Sequence, residues 1–292
     1  MVVAAFAAAK INLYLHVVGK RADGYHLLDS LIAFTDIGDR LTAEPNATLS
    51  LEISGPEAAG LAGAGDTNLV LRAARLLADY TGTTLGAALH LEKALPVAAG
   101  IGGGSSDAAA ALRALAALWQ VSVGEAAIAR LGAELGADLP VCLYGRAAWV
   151  GGIGERIEPA ADLPPAGILL ANPRRELPTA AVFAARSGPF GEAGRLASMP
   201  QDVFGLARAL MSRRNDLTEA AINLAPEIGG VLTRLARLPG ALLARMSGSG
   251  ATCFALFRDR AAAQEARAAL AAAEPCWWCA AGGLIAGDRH SG

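Results

Sequence analysis

Hydrophobic and polar positions alternate through much of the first half of this chain, with a period of two that breaks into longer apolar periods at intervals. The alternation predicts strands over residues 10–18, 30–36, 40–53, 86–92 and 146–150, and the helical period predicts helices over 68–80, 105–119 and 124–136. In the second half, 167–171 is a short apolar strand. Helices follow over 178–185, 201–211, 215–223 and 226–237, then strands over 241–246 and 252–258, a helix over 260–273 and a last strand over 277–286. The segment from Ala108 to Trp119, AAAALRALAALW, combines high helix propensity with Leu112, Leu115 and Leu118 on roughly one face. Strands and helices intermingle in both halves, so the fold class is α+β. The stretch from Gly151 to Pro165 is rich in glycine and proline and sets a domain boundary, giving domains 1–158 and 159–292.

The most informative polar interruption is Pro96-Val97-Ala98-Ala99-Gly100-Ile101-Gly102-Gly103-Gly104-Ser105-Ser106, which runs directly into the helix that starts near residue 105. Glycines let the backbone take positive φ and approach a ligand closely, and the first N–H groups of a helix point outward at its positive end. Such a junction binds phosphate. Ser105 or Ser106 can cap the helix, and Asp107 suits its first turn. The spacing is neither the GxxxxGK[ST] loop nor a dinucleotide fingerprint.

Composition narrows the class. The 292 residues are 53% hydrophobic, largely through alanine, and no apolar run reaches the roughly 18 to 20 residues that span a bilayer. The opening MVVAAFAAA lacks a basic flank and leads straight into a strand pattern, which argues against an export signal and for a cytoplasmic protein. A formal net charge of −2 disfavours nucleic acid as a partner. Cys142, Cys253, Cys276 and Cys279 include one CxxC without a second pair or nearby histidines, which reads as reduced thiols rather than a zinc site.

Several polar residues stand where chemistry is possible. Lys10 lies on an otherwise apolar strand, where an unpaired ammonium is costly, so it either finds a negative partner or snorkels at a strand edge. Asn12 shares its face. Asp138 lies at an element end, between GEAAIARLGAELG and LPVCLY; position alone also suits a plain helix-end turn. Tyr25 and His26 follow Gly24 in a turn, where an aromatic face can stack on a nucleobase and an imidazole can meet its edge, or where the pair simply caps a loop. Thr179 and Phe183 are one helical turn apart, and Phe183 equally suits a core. Asn68 suits a helix N-cap and Lys93 a solvated charge.

Three motifs occur in order: Ala9-Lys10-Ile11-Asn12 followed by Arg21-Ala-Asp23-Gly24-Tyr25-His26, the glycine loop GIGGGSSDAA, and Met246-Ser247-Gly248-Ser249-Gly250. With Asn68-Leu-Val, Gly136-Ala-Asp138-Leu-Pro140, Pro178-Thr179 and Asn215-Asp216-Leu217, they resemble the small-molecule kinase family of galactokinase, homoserine kinase, mevalonate kinase and phosphomevalonate kinase. The resemblance implies an N-terminal ribosomal S5 domain 2-like fold that binds ATP and a C-terminal split βαβ, ferredoxin-like sandwich on the substrate side. It implies an active site in the cleft between them. It also implies ATP as co-substrate, with Mg²⁺ riding on the phosphates and no protein ligand assigned, and residues 96–106 as the ATP loop. Asp138 becomes the catalytic base and Lys10 its catalytic partner. Asn12, Tyr25, His26, Thr179 and Phe183 face the substrate, while Asn68 and Lys93 contact adenine. The pairing of KIN with RADGYH is similar to the branch whose acceptor is the 2-hydroxyl of a cytidine-diphosphate-linked methylerythritol in non-mevalonate isoprenoid synthesis. Homoserine, mevalonate or a sugar is the alternative acceptor. A small molecule carrying cytidine diphosphate, with no nucleic acid and no membrane, is then the partner of a monomer or weak homodimer.

Overall fold

The computed structural model describes residues 1–122, 124, 127, 131 and 134–285. The predicted helix at 124–136 and residue 286 of the last predicted strand lie wholly or largely outside them. The elements run β1 (Val3–Lys20), β2 (His26–Asn46), β3 (Ser50–Ser54), α1 (Leu69–Thr81), β4 (Gly86–Glu92), α2 (Gly103–Trp119), α3 (Leu139–Tyr144), β5 (Ala148–Gly152), β6 (Arg156–Pro159) and β7 (Gly167–Asn172). There follow α4 (Thr179–Ala185), α5 (Val203–Met211), α6 (Thr218–Leu224), α7 (Glu227–Ala236), β8 (Leu243–Met246), β9 (Cys253–Phe257), α8 (Arg260–Ala273) and β10 (Trp278–Gly283). The chain is α+β, and no described helix is long and apolar enough to cross a membrane.

The chain forms two compact units that interleave along the sequence. The first comprises Met1–Ala9, Gly38–Val97 and Gly102–Gly145. In it the end of β2 pairs antiparallel with β4, from Arg40 opposite Glu92 to Asn46 opposite Gly86, and β4 pairs in parallel with β3. Helix α1 begins where the Asn68 side chain accepts from the Val70 N–H at 2.8 Å, and it ends at Gly82 in the left-handed region. Val70, Ala73, Ala74 and Leu77 give it one buried stripe. Helix α2 packs against α1 and α3. Its residues from Ser106 to Leu112 are all buried, so this stretch is enclosed on every side, while Ala117 further along is exposed. Alanine makes that possible, because its small side chain lets neighbouring elements approach from all directions.

The second unit comprises Lys10–Ile37, Ala98–Ile101 and Arg146–Gly292. The start of β2 pairs with β5, from Leu28 opposite Gly152 to Ile32 opposite Ala148, and β5 turns back into β6. A separate sheet in the order β10-β7-β9-β8 is antiparallel throughout. Every residue of β7 and β9 is buried, α7 packs against β8 and β9, and α8 packs against β7 and β10.

Two expectations change. The strands predicted at 30–36 and 40–53 are one long strand, β2, followed by the short β3. The polar Gly38-Asp39-Arg40 interruption is not a break: a Cβ on Gly38 would strike the Ala7 carbonyl, so this glycine serves close packing against β1. The Gly- and Pro-rich stretch at 151–165 contains the β5–β6 hairpin, turned through Gly152 and Gly154 at φ +66° and +117°. Position 158/159 therefore falls inside β6 and inside the second unit.

Candidate active site

Within the second unit, residues 98–101 of the glycine loop lie against the segment that follows β8. The Thr252 N–H donates to the Ala99 carbonyl at 3.1 Å, and the Lys10 N–H to the Ile101 carbonyl at 2.9 Å. Ser247 ties the pieces together, its hydroxyl accepting from the Asn12 N–H and donating to the Gly100 carbonyl, both at 3.1 Å. Gly100 takes φ +73°, and a Cβ there would stand 2.5 Å from the Gly250 carbonyl oxygen, so the fold itself demands glycine at this point.

Lys10 and Asn12 are each 4% exposed on β1, and the Lys10 ammonium donates to Asn12 Oδ1 at 3.1 Å. The two-residue period of the strand places them side by side. Asn12 Nδ2 donates to Ser30 Oγ at 2.8 Å, and the Ser30 hydroxyl donates on to the Tyr14 carbonyl. Asn12 is thus held at three points, two on its side-chain amide and one at its backbone N–H.

His26 opens β2, and its ring stacks on Phe183 of α4 with centroids 5.3 Å apart and planes 26° from parallel. Burial, with Lys20 and Arg186 nearby, holds the imidazole below its usual pKa and favours its neutral form. Tyr25 is 60% exposed in the preceding turn, which closes when Arg21 N–H donates to the Tyr25 carbonyl at 2.8 Å. Phe183 is half-buried, stacked on the His26 ring and also packed against the hydrophobic core. Thr179, at the start of the same helix, shares a hydrogen bond of 2.9 Å with Ser249.

In the first unit, Pro96 is buried and Val97 half-buried at the entry to the loop. Helix α2 begins at Gly103 with Gly102 as its N-cap at φ +65° and no side-chain cap. Neither serine caps it. Ser106 instead donates from its hydroxyl to the Ala8 carbonyl at 2.7 Å. The leading N–H groups of α2 are left to other acceptors, as an anion site requires.

Asp107 is the fifth residue of α2, buried and paired with Lys93 at 2.7 Å, so its expected place in the first turn gives way to a core ion pair. Lys93 is no solvated charge: it is 2% exposed and also pairs with Asp39 at 2.5 Å. Burial would lower its pKa, but Asp107 and Asp39 outweigh that and hold it up. Asp107 is pushed up to about 7, by burial first and by Asp39, against the pull of Lys93. Asn68 is a helix N-cap, with its side-chain oxygen occupied by Val70. Asp138 is the residue before α3, half-buried, its carbonyl accepting from the Cys142 N–H at 3.1 Å.

Asn215, Ser247 and Ser249 are absent from the sequence-derived site although their motifs are visible. Asn215 Nδ2 donates to the Met246 and Gly248 carbonyls, both at 2.8 Å, so it fastens the second glycine segment. The signal was the Asn-Asp-Leu triplet, since a buried amide beside a loop needs backbone partners.

Gly103 separates a ligand requirement from a fold requirement. Its φ is not positive, and a Cβ would stand 3.4 Å from Lys93 Nζ, an ordinary contact. Gly103→Ala should therefore leave the protein at least as stable, because alanine favours the helix by up to about 1 kcal/mol. If phosphate lies against this backbone, ATP affinity should fall at least about tenfold, or 1.4 kcal/mol. Calorimetric titration beside a thermal melt checks this, and an unchanged affinity would place the phosphate elsewhere.

A glycine-rich loop opening a helix, a second glycine segment and a buried Lys-Asn pair define a small-molecule phosphotransferase. The chain matches the GHMP kinases N terminal domain over residues 68–146 and the GHMP kinases C terminal domain over 196–276, and it belongs to the GHMP kinase family. It is 54% identical over 279 residues to the 4-diphosphocytidyl-2-C-methyl-D-erythritol kinase of Paramagnetospirillum magneticum, a match covering 96% of this chain and 97% of that one. A crystal structure of a 4-(cytidine 5'-diphospho)-2C-methyl-D-erythritol kinase superposes with TM-score 0.79 at 37% identity, covering 97% of this chain and 100% of the other. The homoserine kinase of Cytophaga hutchinsonii shares the fold, with TM-score 0.71 at 18% identity over 98% of this chain and 95% of its own.

Proposed function

We propose that this chain transfers the γ-phosphoryl group of ATP to the 2-hydroxyl of 4-diphosphocytidyl-2-C-methyl-D-erythritol, in the non-mevalonate route to isoprenoid precursors. The observation that carries the reading is the 54% identity to a relative of that name over 96% of the chain. The stacked His26 and Phe183 rings beside an exposed Tyr25 support a base-binding role for this turn, with cytosine as the base.

Phosphoryl transfer asks for positioning, neutralisation of charge and a group that accepts the hydroxyl proton. Residues 96–106 cradle the phosphates, with Asn68 toward adenine. Asp138 accepts the proton as the oxygen–phosphorus bond forms and the bond to the ADP leaving oxygen breaks. Lys10 neutralises the transferring group and Asn12 orients the acceptor hydroxyl, while Thr179 and Phe183 complete the substrate side. Mg²⁺ supplies charge neutralisation on the phosphates. Such an ion would be carried by the nucleotide phosphates and water.

The N-terminal half of the chain serves as the nucleotide half, with an S5 domain 2-like fold. The C-terminal half serves as the substrate half, a split βαβ sandwich, and the β10-β7-β9-β8 sheet with α7 and α8 supports that reading. The enzyme acts in the cytoplasm as a monomer or weak homodimer, and nucleic acid is no partner of a chain with net charge −2. Coupled release of ADP is the test: turnover is expected with the cytidyl substrate and not with homoserine or mevalonate. Equal or faster release with either of those would overturn the assignment.

A further inference from the structure

Three charged residues from distant points of the chain meet in the interior of the first unit. Asp39 comes from β2, Lys93 follows β4 directly, and Asp107 lies on α2; their side chains are 0%, 2% and 3% exposed. Asp39 Oδ2 accepts from the Lys93 ammonium at 2.5 Å, and its Oδ1 accepts from the Ala94 and Leu95 N–H groups at 2.6 and 2.8 Å. The Lys93 backbone is fixed as well, its N–H donating to the Ser54 carbonyl at 2.7 Å and its carbonyl accepting from Glu57 N–H at 3.0 Å. The segment from Lys93 to Leu95, from which the chain enters the glycine loop, is therefore held by both side chain and backbone.

The chain returns from that loop at Gly103, and its helix is tied to the same ammonium through Asp107 Oδ2 at 2.7 Å. Both roots of the loop hang from one nitrogen.

As a source of stability this arrangement is poor. Two buried carboxylates face one ammonium, and Asp107 Oδ1 is buried with no hydrogen-bond partner among the described residues. Apolar side chains of similar volume often hold a core equally well or better. What the ionic cluster offers instead is a defined distance between Leu95 and Gly103, because charge-assisted hydrogen bonds are short and directional. We infer that Asp39, Lys93 and Asp107 form a strut that sets the geometry of the nucleotide loop, so that the Lys93 ammonium acts on ATP as a positioning group rather than as an adenine contact. This inference rests on the reading of residues 96–106 as the ATP loop.

Asp107→Asn in the full chain tests it. The amide keeps the shape and relieves the excess of buried negative charge, so the protein should fold with a thermal midpoint close to the parent's, while its hold on the ammonium weakens. The expected result is a Kd and KM for ATP raised about fivefold or more, on the order of 1 kcal/mol as a converted ratio, with kcat at saturating ATP and KM for the acceptor within about twofold. A folded variant with ATP Kd within twofold of the parent overturns the strut, as does a fall in kcat with ATP affinity unchanged. If Asp107→Asn does not fold, Asp107→Glu keeps the charge but moves it by one methylene; the same split is expected, and an unaltered ATP Kd again overturns the inference. A parent protein that binds no ATP refutes the nucleotide reading itself, an outcome distinct from failure of the strut.

Discussion

Asp138→Asn is expected to lower kcat by on the order of 10² to 10⁴, with ATP and acceptor affinities largely kept. The asparagine has nearly the shape of the aspartate and accepts hydrogen bonds through one oxygen, but it cannot take up a proton at neutral pH. Its backbone role survives, because the bond from Cys142 N–H ends on the Asp138 carbonyl and not on its side chain. Loss of rate in a variant with an unchanged thermal midpoint therefore reports chemistry rather than loss of α3. The loose transition state of phosphoryl transfer leaves less for a base to do than in acyl transfer, which places the low end of the range within expectation. Steady-state kinetics at saturating ATP and acceptor decide the matter. Turnover above about a tenth of the parent rate, below the usual contribution of a general base, would remove Asp138 from that role.

Geometry at the candidate site was legible wherever the signal is local. A strand's two-residue period puts Lys10 beside Asn12 without knowledge of the rest of the fold, and the structure joins them at 3.1 Å. Asn68 at a helix start and Gly82 at its end bound α1 within one residue of the predicted 68–80. The same holds for β4 and α8, whose predicted and observed spans coincide. Long-range encounters were not legible. Asp39, Lys93 and Asp107 are separated by 54 and 14 residues along the chain, and nothing in any one neighbourhood announces that they meet. Lys93 reads as solvated because lysine usually is, and only tertiary packing supplies the two carboxylates that let it be buried. The helix-capping expectation failed for a related reason. Ser106 is a good N-cap residue by type, but the Ala8 carbonyl, 98 residues away, takes its hydroxyl. β6 was missed because its glycine-rich turn reads like a linker until β5 is there to pair with it.

Lys10→Met should cost on the order of 10² to 10³ in kcat, the scale set by removing one preorganised electrostatic group from an active site. Methionine keeps a long unbranched stem on β1 and removes only the ammonium. Asn12 loses one donor to its Oδ1, but its Nδ2 stays bonded to Ser30 and its backbone N–H to Ser247, so the amide is not released. The Lys10 backbone stays tied to the Ile101 carbonyl, which keeps that part of the glycine loop in place. A fall in kcat with an unchanged thermal midpoint thus assigns the loss to charge at the transferring phosphoryl group. Residues that act as one catalytic unit are strongly non-additive, so Lys10→Met combined with Asp138→Asn should cost far less than the product of the two single effects. Fully multiplicative losses would show that the lysine and the aspartate act independently, and a Lys10→Met enzyme within threefold of the parent kcat would show that the ammonium has no part in the transfer step.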